Sequence, residues 1–171
     1  MSFDDVVLNR RSIRKYLDKY VSMSDVEKII KTGILAPSAH NRQPWKVKVV
    51  VSEEKTKIYE ALLAKKDEDS SVANTAGIIN EVPCLLVVFY DGNENRDHDM
   101  LSLGAFIENM HLKATELGLG SLWIANTDRI KKEISEITDV GLECISCLAI
   151  GYKDQEPSLR PRKNLEEIII K

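Results

Sequence analysis

The chain has 171 residues, with 24 lysines and arginines against 27 aspartates and glutamates, a formal charge of −3. Hydrophobic residues make up 43% and charged residues 30%, which excludes a disordered chain and allows one domain with a buried core. The slightly acidic sum excludes a nucleic-acid protein that works through bulk positive charge.

The acidic start Met1-Ser2-Phe3-Asp4-Asp5 carries no secretory apolar stretch. The longest apolar run, Cys84-Leu85-Leu86-Val87-Val88-Phe89-Tyr90, is far short of the ~20 residues of a membrane helix. Three cysteines, an odd number, read as reduced thiols. The expectation is a cytoplasmic chain, residues 1–171 forming one domain, with neither membrane nor nucleic acid as partner.

A first helix is predicted from Ser2 to the basic cluster at Arg10, with Val6 and Val7 inward. A second is predicted from Ser24, where Glu27 completes a capping box, Val26, Ile29 and Ile30 share a face, and Gly33 and Pro37 end the run. Val47, Val49 and Val51 predict a strand. Ile58, Leu62 and Leu63 predict a helix that ends in the charged stretch 65–69. Residues 84–90, entered from Pro83, read as a strand covered on both faces. Leu101, Ala105, Ile107, Leu112 and Leu117 predict a long helix stopped by Gly118 and Gly120. Leu122-Trp123-Ile124 reads as a strand, 130–137 as a short helix, 144–152 as a buried strand and the tail 165–170 as a last strand. Such alternation makes the chain α/β or α+β, with helices covering a central sheet.

Four stretches carry chemistry. Arg10, Arg11 and Arg14, with Ser12 between, offer planar forks and a hydroxyl suited to phosphate and carbonyl oxygens. Taken alone, they read rather as a basic helix end in solvent. Residues 36–45, Ala-Pro-Ser-Ala-His-Asn-Arg-Gln-Pro-Trp, concentrate amide, hydroxyl and indole groups between two prolines. That favours a binding loop over a loop whose Ser and Asn bond only to their own backbone. In residues 116–126, Gly118 and Gly120 join a helix to a strand and let backbone approach a ligand, or merely turn the chain. Around Pro161, the cations Arg160, Arg162 and Lys163 read as a phosphate holder or a solvated tail.

The remaining candidates are weaker. Cys144 and Cys147 stand three apart on a strand, where side chains point to opposite faces, so two buried small hydrophobes are expected. His98, between Asp97 and Asp99, reads as a solvated helix start, and His111 as a packed residue. No nucleophile elbow accompanies any histidine.

In order along the chain, these four stretches resemble the nitroreductase family of FMN-dependent oxidoreductases. The matching segments are Arg10-Arg11-Ser12-Ile13-Arg14, the loop Pro37-Ser38-Ala39-His40-Asn41-Arg42-Gln43-Pro44-Trp45, the turn Gly118-Leu119-Gly120-Ser121-Leu122-Trp123-Ile124, and Ile150-Gly151-Tyr152 with Arg160 and Arg162. The resemblance implies an α+β, nitroreductase-like fold: a central, mainly antiparallel sheet flanked by helices, in an intertwined homodimer that exchanges C-terminal strands. It also implies FMN, tightly but non-covalently bound, at the dimer interface. Arg10, Arg11, Ser12, Arg14, Arg160 and Arg162 would hold it, with Pro37, Ser38, Asn41 and Gln43 reaching it in part from the other subunit. Residues Trp123, Ile124, Ala125 and Asn126 would pass beside the ring, where Ala125-Asn126 departs from the family's glycine or small residue.

The implied activity is hydride transfer from NADH or NADPH to FMN and then to a small acceptor of nitroaromatic or quinone type, by a ping-pong route. No catalytic side chain is then required, since the flavin carries the chemistry. Alternatives are a non-catalytic flavin-binding dimer, or a specialised flavin enzyme of dehalogenation or flavin breakdown.

Overall fold

In the computed structural model, which describes residues 1–67, 69–92 and 94–170, four strands pair antiparallel in the order β1-β2-β4-β3. They are β1 (Trp45–Val50), β2 (Cys84–Tyr90), β3 (Gly120–Ile124) and β4 (Glu143–Gly151). The helices are α1 (Phe3–Asn9), α2 (Met23–Ile34), α3 (Ser52–Leu63), α4 (Ser70–Glu81), α5 (Arg96–Glu116) and α6 (Lys131–Ile137). This is an α+β chain with a wholly antiparallel sheet.

The central pair β2–β4 explains the apolar run at 84–90. Leu85, Val87 and Phe89 face one layer, where Ile58 and Leu62 of α3, Val72, Ala76 and Ile79 of α4, and Ile134 of α6 pack. Leu86 and Val88 face the other, against Val26 and Ile29 of α2 and Leu103, Phe106, Ile107, Met110 and Ala114 of α5. Helices on both faces leave β2 no solvent side, so it has no polar alternation.

Several expectations need correction. Val7 is 46% exposed, because α1 lies on the body through Val6 alone. The cap of α2 is Ser22, not Ser24: its Oγ accepts from the Asp25 amide at 3.1 Å and donates to the Asp25 carboxylate at 2.8 Å. Gly33 does not end α2 but lies inside it, where a Cβ would sit 2.8 Å from Met110 Cγ and Phe106 Cε2. It is the point of close approach between α2 and α5. Val51 leaves the strand and caps α3. Leu101 is 76% exposed, outside the buried stripe of α5. Gly120 does not help stop α5 but opens β3. The tail is no strand: residues 165–167 form a 3-10 turn, and every residue to Ile170 is exposed. A strand needs an edge to pair with, and the tail meets none within the chain. α4 was not foreseen, although Asp69 caps it, accepting from the Ser71 amide at 2.7 Å.

The two cysteines of β4 also differ from expectation. Val88 pairs with Ser146 and Phe89 with Cys144, which leaves Ile145 unpaired in a bulge. The bulge resets the alternation, so Cys144 and Cys147 share one face and one core layer, both buried as free thiols.

Candidate functional site

The basic cluster is placed by backbone pairing. The Ile13 amide donates to the Ser121 carbonyl at 3.0 Å, and that of Leu17 to Tyr152 at 2.9 Å. Residues 12–17 are thereby laid across the ends of β3 and β4. Ile13 is buried against Gly120, where a Cβ would come within 2.8 Å of its Cγ2. Gly118, at φ +76°, makes the left-handed turn that ends α5.

This puts Arg14 beside a cleft of about 320 Å³ lined by residues 122–126 and by Ser71, Asn74, Thr75 and Ile78 of α4. The volume lies within the ~300–1,000 Å³ of small-molecule sites. Arg14 is exposed, and its Nη1 donates to the Ser12 carbonyl at 3.2 Å. Donors therefore stand beside the apolar Ile78, Leu122 and Ile124, a combination that accepts a flat heterocycle with polar edges and an apolar body. Asn74 and Thr75 were not singled out from sequence. The signal was there: Asp69 at a cap, then Val72, Ala76 and Ile79 at helical spacing.

The other arginines lie elsewhere. Arg11 donates through Nη1 to the Leu8 carbonyl at 2.6 Å and through Nε to that of Pro157 at 3.2 Å. It lines a second cleft, of about 360 Å³, with Lys153, Glu156 and Pro157. Arg10 stands 3.6 Å from Glu108. Arg160 and Arg162 are exposed, and Arg162 Nη1 donates to the Arg160 carbonyl at 3.0 Å. Among the described residues, no hydrogen bond or ion pair joins these two to the first cluster.

The proline-bounded loop is shaped by strain and by one buried acid. His40, Asn41 and Gln43 have φ of 53°, 55° and 52°, a left-handed conformation uncommon outside glycine. Ser38 Oγ accepts from the Gln43 amide at 3.0 Å. Arg42 holds the loop to α5, donating to Asp99 Oδ1 from Nε at 3.0 Å and Nη2 at 2.8 Å, while Tyr90 donates to Oδ2 at 3.1 Å. Asp97 and His98 are exposed in the first turn of α5, as expected of a solvated helix start, while Asp99 beside them is 0% exposed. Pro37 and Ser38 line an open groove with His98, Leu101, Ser102 and Ala105. Asn41 and Gln43 are exposed. Within one chain, then, the expected site residues fall into separate groups: Arg14 with 122–126, Arg11 with 157, and the loop on α5.

Two side chains near Trp123 complete the picture. His111 is buried, with Nδ1 2.7 Å from Ser121 Oγ, and its ring centre lies 6.3 Å from that of Trp123. Burial, then the charge of Arg10, pushes its pKa down to about 4, so it is a packed neutral ring, as expected. Asn126 Nδ2 donates to Ser71 Oγ at 3.1 Å and Thr75 Oγ1 at 2.8 Å. Its carboxamide is thus bonded to α4. Among the described residues no helix is long and apolar enough to cross a membrane, and no group of three or more His, Cys, Asp or Glu could hold a metal.

An antiparallel sheet covered on both faces, with a cleft between one edge strand and a helix, defines an α+β protein. The sequence profile described as the nitroreductase family matches residues 7–152, and the chain belongs to that family. It is 33% identical over 88% of its length to a protein of Archaeoglobus fulgidus, 85% of which is covered, provisionally named NADH dehydrogenase/NAD(P)H nitroreductase. It is 25% identical to the iodotyrosine deiodinase of Thermotoga neapolitana, covering 98% of this chain and 95% of that one. Among solved structures, a provisionally named nitroreductase of Desulfovibrio desulfuricans in complex with FMN superposes with TM-score 0.87 at 24% identity, covering 100% of this chain and 96% of that one. That likeness is one of fold.

Proposed function

We propose that this chain is an FMN-dependent oxidoreductase that takes hydride from NADH or NADPH and reduces a small nitroaromatic or quinone-type acceptor by a ping-pong route, as a cytoplasmic homodimer. The observation that carries the reading is the Arg14 cleft, whose lining fits a flavin: the Arg14 guanidinium and the Asn74 amide for the polar edge, Ile78, Leu122 and Ile124 for the ring body. When bound, FMN supplies the hydride chemistry, and the protein supplies binding, orientation and electrostatics. Arg14 is the cation that offsets negative charge on the reduced ring. Ser12, Arg10, Arg160 and Arg162 serve the phosphate side. Arg11, already committed to the Pro157 carbonyl, holds the arm that carries Arg160 and Arg162.

The dimer supplies what one chain lacks. Pro37, Ser38, Asn41 and Gln43 reach the cleft of the partner in this reading, and the tail exchanges to find an edge. The exposed Phe3, Leu8, Leu35, Ile168 and Ile170 support burial against a second copy.

The test is an absorption spectrum of the purified protein before and after anaerobic NADH and NADPH. A flavin band that bleaches supports the reading and ranks the two donors. A band that persists points to a binding protein, and bleaching with poor turnover of generic acceptors to a specialised flavin enzyme. Arg162→Ala is expected to weaken FMN retention, measured by ultrafiltration, and unchanged retention would remove this residue from the phosphate side.

A further inference from the structure

The departure at Asn126 is put to use. Its Nδ2 spends both protons on α4, one on Ser71 Oγ at 3.1 Å and one on Thr75 Oγ1 at 2.8 Å. Thr75 is free to accept, because its own hydroxyl proton goes to the Ser71 carbonyl at 3.0 Å. A second tie lies one turn on, where Arg129 Nη2 stands 3.3 Å from Asp69, the cap of α4. Both ties join the segment that follows β3 to the first two turns of α4. Ser71 and Thr75 are at the same time walls of the Arg14 cleft, so these bonds span it from one wall to the other. The apolar anchors Val72, Ala76 and Ile79 hold the opposite side of α4 in the core. They share that core layer with Leu122 and Ile124, so apolar packing seats the helix on the sheet and the two Asn126 bonds add a polar tie at the cleft.

We infer that Asn126 is a positioning residue that bolts the N-terminal half of α4 across the cleft, sets the room beside a bound ring, and so limits the size of acceptor admitted. This rests on the flavin reading for the acceptor, though not for the bolt. An amide suits the task where glycine or alanine would not: it alone offers two protons at fixed angles to two hydroxyls four residues apart on one helix face. Any acceptor wider than the bolted cleft must break both bonds to enter.

The experiment uses the full chain and three proteins: the parent, Asn126→Ala, and Ser71→Ala/Thr75→Val, which removes the acceptors from the other side while keeping the shape of Thr75. Amide hydrogen exchange across residues 69–77 is expected to be about 25-fold faster in both variants, at roughly a factor of five for each of the two hydrogen bonds lost, with β2 and β4 unchanged. In protein carrying FMN, kcat/KM for a two-ring naphthoquinone should rise at least about threefold relative to a one-ring benzoquinone, on the same reasoning. Equal exchange in parent and variants overturns the bolt. Faster exchange with an unchanged quinone ratio overturns its control of acceptor size. A colourless protein that refuses FMN would count against the flavin reading and against the acceptor limit that rests on it, with the exchange rates still deciding the bolt.

Discussion

At the scale of single residues, two buried polar groups govern what surrounds them. His111 is pushed down to about 4 by burial and then by Arg10, while in the unfolded chain it titrates near about 6.5. Between those values the unfolded chain binds a proton that the fold refuses, so stability is lost as pH falls from about 6.5 towards about 4, by up to roughly 3 kcal/mol. His111→Gln, which can still bond Ser121, should flatten the fall of the urea midpoint over that range; slopes parallel to the parent would show that other groups carry it. Asp99 takes two hydrogen bonds from Arg42 and one from Tyr90 with no exposure of its own. Asp99→Ala strands the Arg42 charge and should cost roughly 3 kcal/mol in denaturant titration. A loss below about 1 kcal/mol would mean that Glu94, 3.6 Å from Arg42, takes over. His111 was legible as packed from its place on a helix. Asp99 was not, because Asp97-His98-Asp99 looks like any charged first turn, and only the fold brings Arg42 to it.

At the scale of elements, the legible ones are those whose burial is uniform or strictly periodic. Residues 84–90 form a strand because both faces are covered, and the run has no polar break. α4 was missed because half its residues are small or polar and face solvent or the cleft, leaving Val72, Ala76 and Ile79 as a thin stripe. Gly33 was misread because a glycine near a helix end signals termination and equally permits close packing. The two roles separate by substitution. Gly33→Ala gains about 1 kcal/mol of helix propensity but drives a methyl into Met110 and Phe106, a clash worth ~1–3 kcal/mol. A net loss of about 1 kcal/mol in thermal unfolding is expected on that balance. A stabilised variant would mean that α2 can move off α5 without cost.

At the scale of the whole molecule, the order of the four strands is invisible in the sequence, since antiparallel pairs separated by helices can be arranged many ways. The candidate site was legible as four motifs, but not as an assembly, because one chain keeps Arg14, the Pro37 loop and Arg162 in separate places. The proposed dimer gives the exposed Leu165, Ile168, Ile169 and Ile170 a surface to cover. A chain ending at Lys163 should therefore dissociate at least about tenfold more readily in sedimentation, since each buried aliphatic side chain is worth roughly 1.5–3 kcal/mol. Unchanged association would place the interface elsewhere. Descent, finally, meets β4 one codon at a time. Losing a codon from a regular strand turns every later side chain from one layer to the other, and in a strand buried on both faces such a loss is lethal to the core. Ile145 already stands outside the alternation, so a lineage that drops it keeps Cys144 and Cys147 in their own layer and Ser146 and Leu148 in theirs. The middle of the sheet thus carries one position where its length is negotiable.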